Sequence, residues 1–241
     1  MTPRPVRMTA KKIHLALTKL GDPDIAAHSM RFFKTGPGEY GEGDRFLGIR
    51  VPVLRKKAKE FKDTPLSETL RVLKSAFHEE RLLALLLLVI KFSIGPASER
   101  KEIYELYLRH TEYINNWDLV DSSAGHIVGV YLADKNKQPI YRMADSKNLW
   151  KRRIAIISTF PMIKANDFGT ALDISRILLK DEEDLIHKAV GWMLREIGKR
   201  DISVEKGFLQ KHYRAMPRTM LRYAIEKFPE KERKGYLLGM V

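Results

Sequence analysis

Trp117 and Asp121 stand four positions apart in the run Asn115-Asn116-Trp117-Asp118-Leu119-Val120-Asp121. In a helix, residues at that spacing project from one side, so an indole and a carboxylate share one space. An aromatic face beside an anion is a site for a cation. Arg153 and Trp192 recur on helices of the same kind at intervals of about 35 positions, the signature of a repeat architecture that joins distant segments into one surface. Arg153 is the best single phosphate clamp in the set, because a guanidinium binds two oxygens at once and is more weakly hydrated than an ammonium. Two plainer readings stay open. Each tryptophan could be a core aromatic, and Asp121 could pair with Arg153 in a purely structural ion pair.

The chain carries 44 Lys and Arg against 30 Asp and Glu, a net charge of +14. Such an excess favours polyanionic partners, nucleic acid first among them. The cation most worth considering then lies within DNA, as a purine made positive by alkylation. The basic residues suit that reading: Lys151, Arg152 and Arg153 open one helix, Lys188 opens another, and Arg195 lies two turns further in. Helix beginnings also present free N–H groups to phosphate oxygens.

Several chemistries find no support. There is no cysteine, which excludes disulfides, thiolate nucleophiles and cysteine zinc sites. The seven histidines, His78, His126 and His187 among them, form no pair at metal-ligand spacing, so no metal is expected. No serine sits in a Gly-x-Ser-x-Gly setting. The glycine-rich stretch Gly36 to Gly41 follows a helix rather than a strand, and Glu39, Glu42 and Asp44 would repel phosphate, so no nucleotide cofactor is expected. Gly36 to Asp44 reads instead as a mobile connector. Met1 to Thr9 has no apolar stretch of the length a secretory signal needs. The longest apolar run, Leu82 to Ile90, is far short of the roughly 20 residues that span a bilayer. A cytoplasmic monomer without a membrane segment is the expectation.

Apolar residues return at three- and four-residue spacing almost throughout, which predicts an all-α chain. The expected helices are 10–20, 23–34, 51–62, 66–77, 79–93, 97–109, 115–133, 138–145, 148–162, 167–179, 183–199, 202–213 and 217–228, punctuated by Pro23, Pro52, Pro65, Gly95-Pro96, Pro139, Pro161 and Pro217. Aligning Arg81-Leu82, Asp118-Leu119, Arg153-Ile154 and Lys188-Ala189 gives spacings of 37, 35 and 35. That period predicts a superhelical solenoid of about six helix pairs with a concave basic face, one domain over 1–241 with its core at about 10–230.

The sequence resembles the AlkD-type DNA alkylation repair glycosylases, a family of HEAT-like helical solenoids. The resemblance rests on Trp117-Asp118-Leu119-Val120-Asp121, on Trp150-Lys151-Arg152-Arg153, on Lys188-Ala189-Val190-Gly191-Trp192-Met193-Leu194-Arg195-Glu196 and on Phe46-Leu47-Gly48-Ile49-Arg50-Val51-Pro52. It implies a monofunctional glycosylase that removes cationic purines such as 3-methyladenine and 7-methylguanine from duplex DNA. Asp121 would be its catalytic carboxylate, Trp117 and Trp192 its active-site indoles, and Arg153 its contact to the DNA backbone. Arg152, Lys151, Lys188, Arg195, Arg50 and Arg55 complete the candidate DNA-binding set. One departure is Asn116, where some members carry an additional aromatic. Two alternatives remain: a non-catalytic binder of DNA structure, and a helical-repeat scaffold for an acidic protein.

Overall fold

The computed structural model describes residues 8–241; the segment Met1 to Thr9, weighed above for an export signal, falls mostly outside them. Among the described residues no β-strand forms, and one isolated parallel bridge joins Arg45 to Phe77. The chain is all-α and divides into two compact units, one ending at Ser123 and one beginning at Ala124. No described helix is long and apolar enough to cross a membrane.

The first unit is built around one helix. Its elements are α1 (Ala10–Thr18), α2 (Pro23–Phe32), α3 (Val51–Glu60), α4 (Leu66–Leu73), α5 (His78–Ile94), α6 (Ala97–Arg109) and the short α7 (Trp117–Asp121). Asp22 starts α2 by accepting the N–H groups of Asp24 and Ile25, with Pro23 in the first turn, where its missing N–H costs nothing. Helices α3, α4, α6 and α7 all pack on α5. That central place explains the unbroken apolar run Leu82 to Leu88, which is buried throughout and needs no polar face. The first turn of α5 is also buried although it reads His78-Glu79-Glu80-Arg81. Burying charge is tolerable only with partners, and Glu79 has three: its carboxylate accepts the backbone N–H groups of Leu47, Gly48 and Ile49 at 2.9, 2.7 and 3.1 Å. The loop before α3 is thereby fastened to α5.

The second unit holds a π-turn (Gly125–Gly129), α8 (Val130–Leu132), α9 (Gln138–Ala144), α10 (Leu149–Ile157), α11 (Phe160–Lys164), α12 (Gly169–Ile177), α13 (Asp184–Gly198), α14 (Ile202–His212), α15 (Arg218–Ala224) and α16 (Glu230–Leu238). Here α13 is central, packed by α10, α12, α14 and α15. Gly191 permits a close approach of α15: a Cβ there would lie 2.4 Å from the Met220 carbonyl oxygen.

Two expected helices are interrupted. Segment 148–162 breaks into α10 and α11, because Pro161 cannot continue a helix but fits the first turn of a new one. Segment 115–133 becomes α7, a turn, the π-turn and α8. In the π-turn, Gly129 sits so close to the end of α10 that a Cβ would lie 2.2 Å from the Ser158 carbonyl oxygen. Helix α16 lies beyond the expected set. The stretch Gly36 to Asp44, expected as a mobile connector, is tied down by hydrogen bonds from Gly36 N–H to Glu39, Gly38 N–H to Glu42 and Gly41 N–H to the Lys34 carbonyl.

Candidate active site

In the first unit the candidate residues sit on α7, which has five residues and needs outside support. Asn116 precedes it in an extended conformation, fully buried, and its side-chain oxygen accepts the Trp117 N–H at 2.8 Å. This position, where some members of the resembled family carry an aromatic, is a helix cap here. At the other end, the Ser123 hydroxyl donates to the Leu119 carbonyl at 2.6 Å, a side-chain bond of the kind that competes with continued helix.

Trp117 is half-buried. Its indole stacks on Phe33, with centroids 5.3 Å apart and planes at 22°, and meets Phe32 edge-on at 6.0 Å. Phe32 itself is 57% exposed. The ring is thus neither sealed in the core nor bare on the surface. Asp121, one turn later, is half-buried and not sealed from solvent. It is near enough to act on Tyr107, whose phenol is held above its ordinary pKa by burial first and by the Asp121 charge in addition, against a hydrogen bond with Ser123 at 2.9 Å that pulls the other way.

The motif contains a second acid, Asp118, with a different fate. Its Oδ2 lies 2.8 Å from His78 Nε2, while His78 Nδ1 lies 2.7 Å from Asp44 Oδ2. Asp44 Oδ1 in turn accepts from Arg81 Nη2 at 2.6 Å. Burial alone would lower the imidazole's pKa, but the bonds to Asp118 and Asp44 outweigh it and raise the value to about 9. Asp44 is held below the usual carboxylate range by His78 and Arg81, against its own burial. Sequence reasoning missed this group. In the sequence Asp44 is an acid in a glycine-rich loop, and 34 positions separate it from His78, a distance at which no local pattern connects two residues. Arg50 and Arg55 are exposed on and beside α3.

In the second unit Arg153 and Trp192 lie on α10 and α13, which pack together. Arg153 is only 5% exposed, and its Nη1 donates to the Leu185 carbonyl at the start of α13. Trp192 is half-buried; its indole N–H donates to Glu196 Oε1 at 3.1 Å, and Phe160 lies 6.1 Å away at a tilt. Arg152 uses its whole guanidinium internally, on Asp181 at 2.6 and 3.2 Å and on the carbonyls of Ser146 and Lys147 at 3.0 Å. Lys188 pairs with Asp184 at 2.8 Å, and Arg195 with Glu226. Lys151 is exposed. Among the described residues no cluster of His, Asp or Glu is arranged to hold a metal ion.

Comparison with known proteins gives one family and one fold. The family described as DNA alkylation repair enzyme matches residues 13–228. A solved structure described as a predicted DNA alkylation repair enzyme from Enterococcus faecalis superposes with a TM-score of 0.66 at 17% identity, over 87% of this chain and 97% of that one. No curated protein matches the sequence.

Proposed function

This chain belongs to the DNA alkylation repair enzyme family, and on that premise we propose that it is a monofunctional DNA glycosylase acting on cationic purines such as 3-methyladenine and 7-methylguanine in duplex DNA. An N3- or N7-alkylated purine already carries the positive charge that acid catalysis would otherwise supply. When the bond from C1′ to the base nitrogen breaks, its electron pair neutralises the base, which leaves as a neutral molecule. Positive charge develops on the sugar as an oxocarbenium ion. Asp121 stabilises that charge and orients the water whose oxygen bonds to C1′, the water's proton passing to the carboxylate or to solvent.

The observation that carries this reading is the placing of the two acids of α7. Asp118 is bonded to His78 in the buried group, and Asp121 is half-exposed one turn from the Trp117 indole. Trp117 favours a cationic base or sugar through its π face, worth about 0.5–2 kcal/mol according to desolvation. By the same resemblance Trp192 is assigned a second aromatic contact and Arg153 the DNA backbone, with Lys151, Lys188, Arg195, Arg50 and Arg55 as phosphate contacts.

The test is release of methylated purines from alkylated duplex DNA by the wild type and by Asp121→Asn. The wild type should excise the base, and the variant should lose on the order of a hundredfold or more in single-turnover rate while binding the same DNA as tightly. A wild type that binds DNA and releases nothing would instead be the non-catalytic binder.

A further inference from the structure

His78 is a buried imidazole whose two nitrogens both face carboxylates, and the glycosylase chemistry above does not use it. Carboxylates only accept hydrogen bonds, so a ring placed between Asp44 and Asp118 at 2.7 and 2.8 Å must donate from both nitrogens and is an imidazolium. Phe46 and Phe33 pack beside it, with centroids 4.6 and 4.9 Å from the imidazole and 5.1 Å from each other. Two separate contacts lead from this cation to the proposed chemistry. Asp118 is the residue next to Trp117 and lies three before Asp121; Phe33 is the ring on which the Trp117 indole stacks. A helix as short as α7 has little orientation of its own, so these outside anchors decide where its side chains point.

We propose that His78 is the positioning residue of α7, holding Trp117 through Phe33 and Asp121 through Asp118 in the pose that the sugar requires. The inference rests on the glycosylase reading of Trp117 and Asp121. The charged groups that face the imidazolium are Asp44 from the loop, Asp118 from α7 and, through Asp44, Arg81 from α5. The neighbouring acids of α5 point elsewhere, Glu79 to the amides of Leu47, Gly48 and Ile49, and Glu80 to His14 at 2.6 Å.

The experiment measures single-turnover release of 3-methyladenine by the full chain between pH 6 and 10, beside DNA affinity, circular dichroism and the nitrogen resonances of His78. In the wild type the rate should hold to about pH 8 and fall through about 9, together with the proton on His78. Asp118→Ala and His78→Asn should stay folded and bind DNA, yet lose on the order of tenfold to a hundredfold in rate, the penalty of a displacement of about an ångström. Asp118→Asn keeps an acceptor for Nε2, so it should recover most of the rate while shifting the alkaline limb, and the histidine titration with it, to lower pH. Folded variants at the wild-type rate, or a limb that does not follow the histidine, would overturn the positioning role. A wild type that releases no base sinks the glycosylase reading alone. The pose of Trp117 is then decided by the fluorine resonance of 5-fluorotryptophan at that position, which must shift as His78 titrates; an unmoved line overturns the inference.

Discussion

Glu205, on α14, is 1% exposed, and its Oε1 has no hydrogen-bond partner among the described residues. Its other oxygen lies against the backbone of Gly198, so close that a Cβ there would sit 1.7 Å from it. Burial raises the carboxyl from 4.5 to about 8, and the charges of Arg195 and Lys206, which pull the other way, are too weak to prevent it. The folded protein therefore holds this proton more tightly than the unfolded chain. Its contribution to stability is complete below pH 4.5 and is lost as pH rises, because the unfolded chain releases the proton first; above about 8 both states have released it and the loss is complete. Each tenfold difference in proton affinity is about 1.4 kcal/mol, so between pH 5 and pH 8 the wild type should lose about 3 kcal/mol on this account. Glu205→Gln cannot ionise and should not lose it. The fixed cost of burying an amide cancels when the two pH values are compared. The assay is urea unfolding of both proteins at pH 5, 6, 7 and 8, with thermal scans in which the variant's advantage should grow by roughly 6–12 °C. Stability differences that stay constant to within about 1 kcal/mol across that range would show that the carboxyl ionises without hindrance in the folded state, and the reasoning from burial would fail.

Three further outcomes follow from close packing and from where the basic side chains stand. Gly129→Ala should cost about 1–3 kcal/mol in thermal unfolding, since the new methyl meets a backbone oxygen of Ser158 rather than a side chain that can turn away. Lys151→Ala should lower the salt slope of DNA binding by about 1 and leave the fold intact, whereas Arg152→Ala should destabilise the fold by roughly 1–3 kcal/mol through Asp181 and the two carbonyls it holds.

The helices were legible in the sequence because burial writes itself into periodicity. The run Leu82 to Leu88 announces a helix with no solvent face, and Pro23, Pro52 and Pro161 mark helix starts. The break after Asp121 was not legible, because its cause is the approach of a distant carbonyl to Gly129 and a serine hydroxyl turned back on its own helix. Helix α16 escaped notice for a different reason: of its residues only Tyr236 is buried, so almost no apolar pattern exists to be read. At the site, the types and spacing of Trp117 and Asp121 were visible, but the anchors of α7 were not. Asp44, His78 and Glu79 are buried residues with polar side chains that partner one another or the backbone. In a linear reading such residues look like a solvated helix start and an acidic loop, and only the fold shows that they meet.

That meeting bears on the electrostatics of the proposed chemistry. The buried group contains two carboxylates, Asp44 and Asp118, and two cations, His78 and Arg81, so its charges sum to zero. Tyr107 remains a neutral phenol at physiological pH, since burial and the Asp121 charge both oppose its ionisation. Neither neighbour therefore adds net negative charge beside Asp121. Were His78 neutral, a buried group of net charge −1 would stand beside α7, opposing the approach of DNA phosphates. It would also place a like charge near the Asp121 carboxylate. A catalytic carboxylate has to be ionised before the sugar's charge develops. The imidazolium, buried at some cost, keeps the surroundings of α7 neutral while fixing its orientation, which accounts for a charged histidine at a position where a purely structural contact between α5 and α7 could have been apolar.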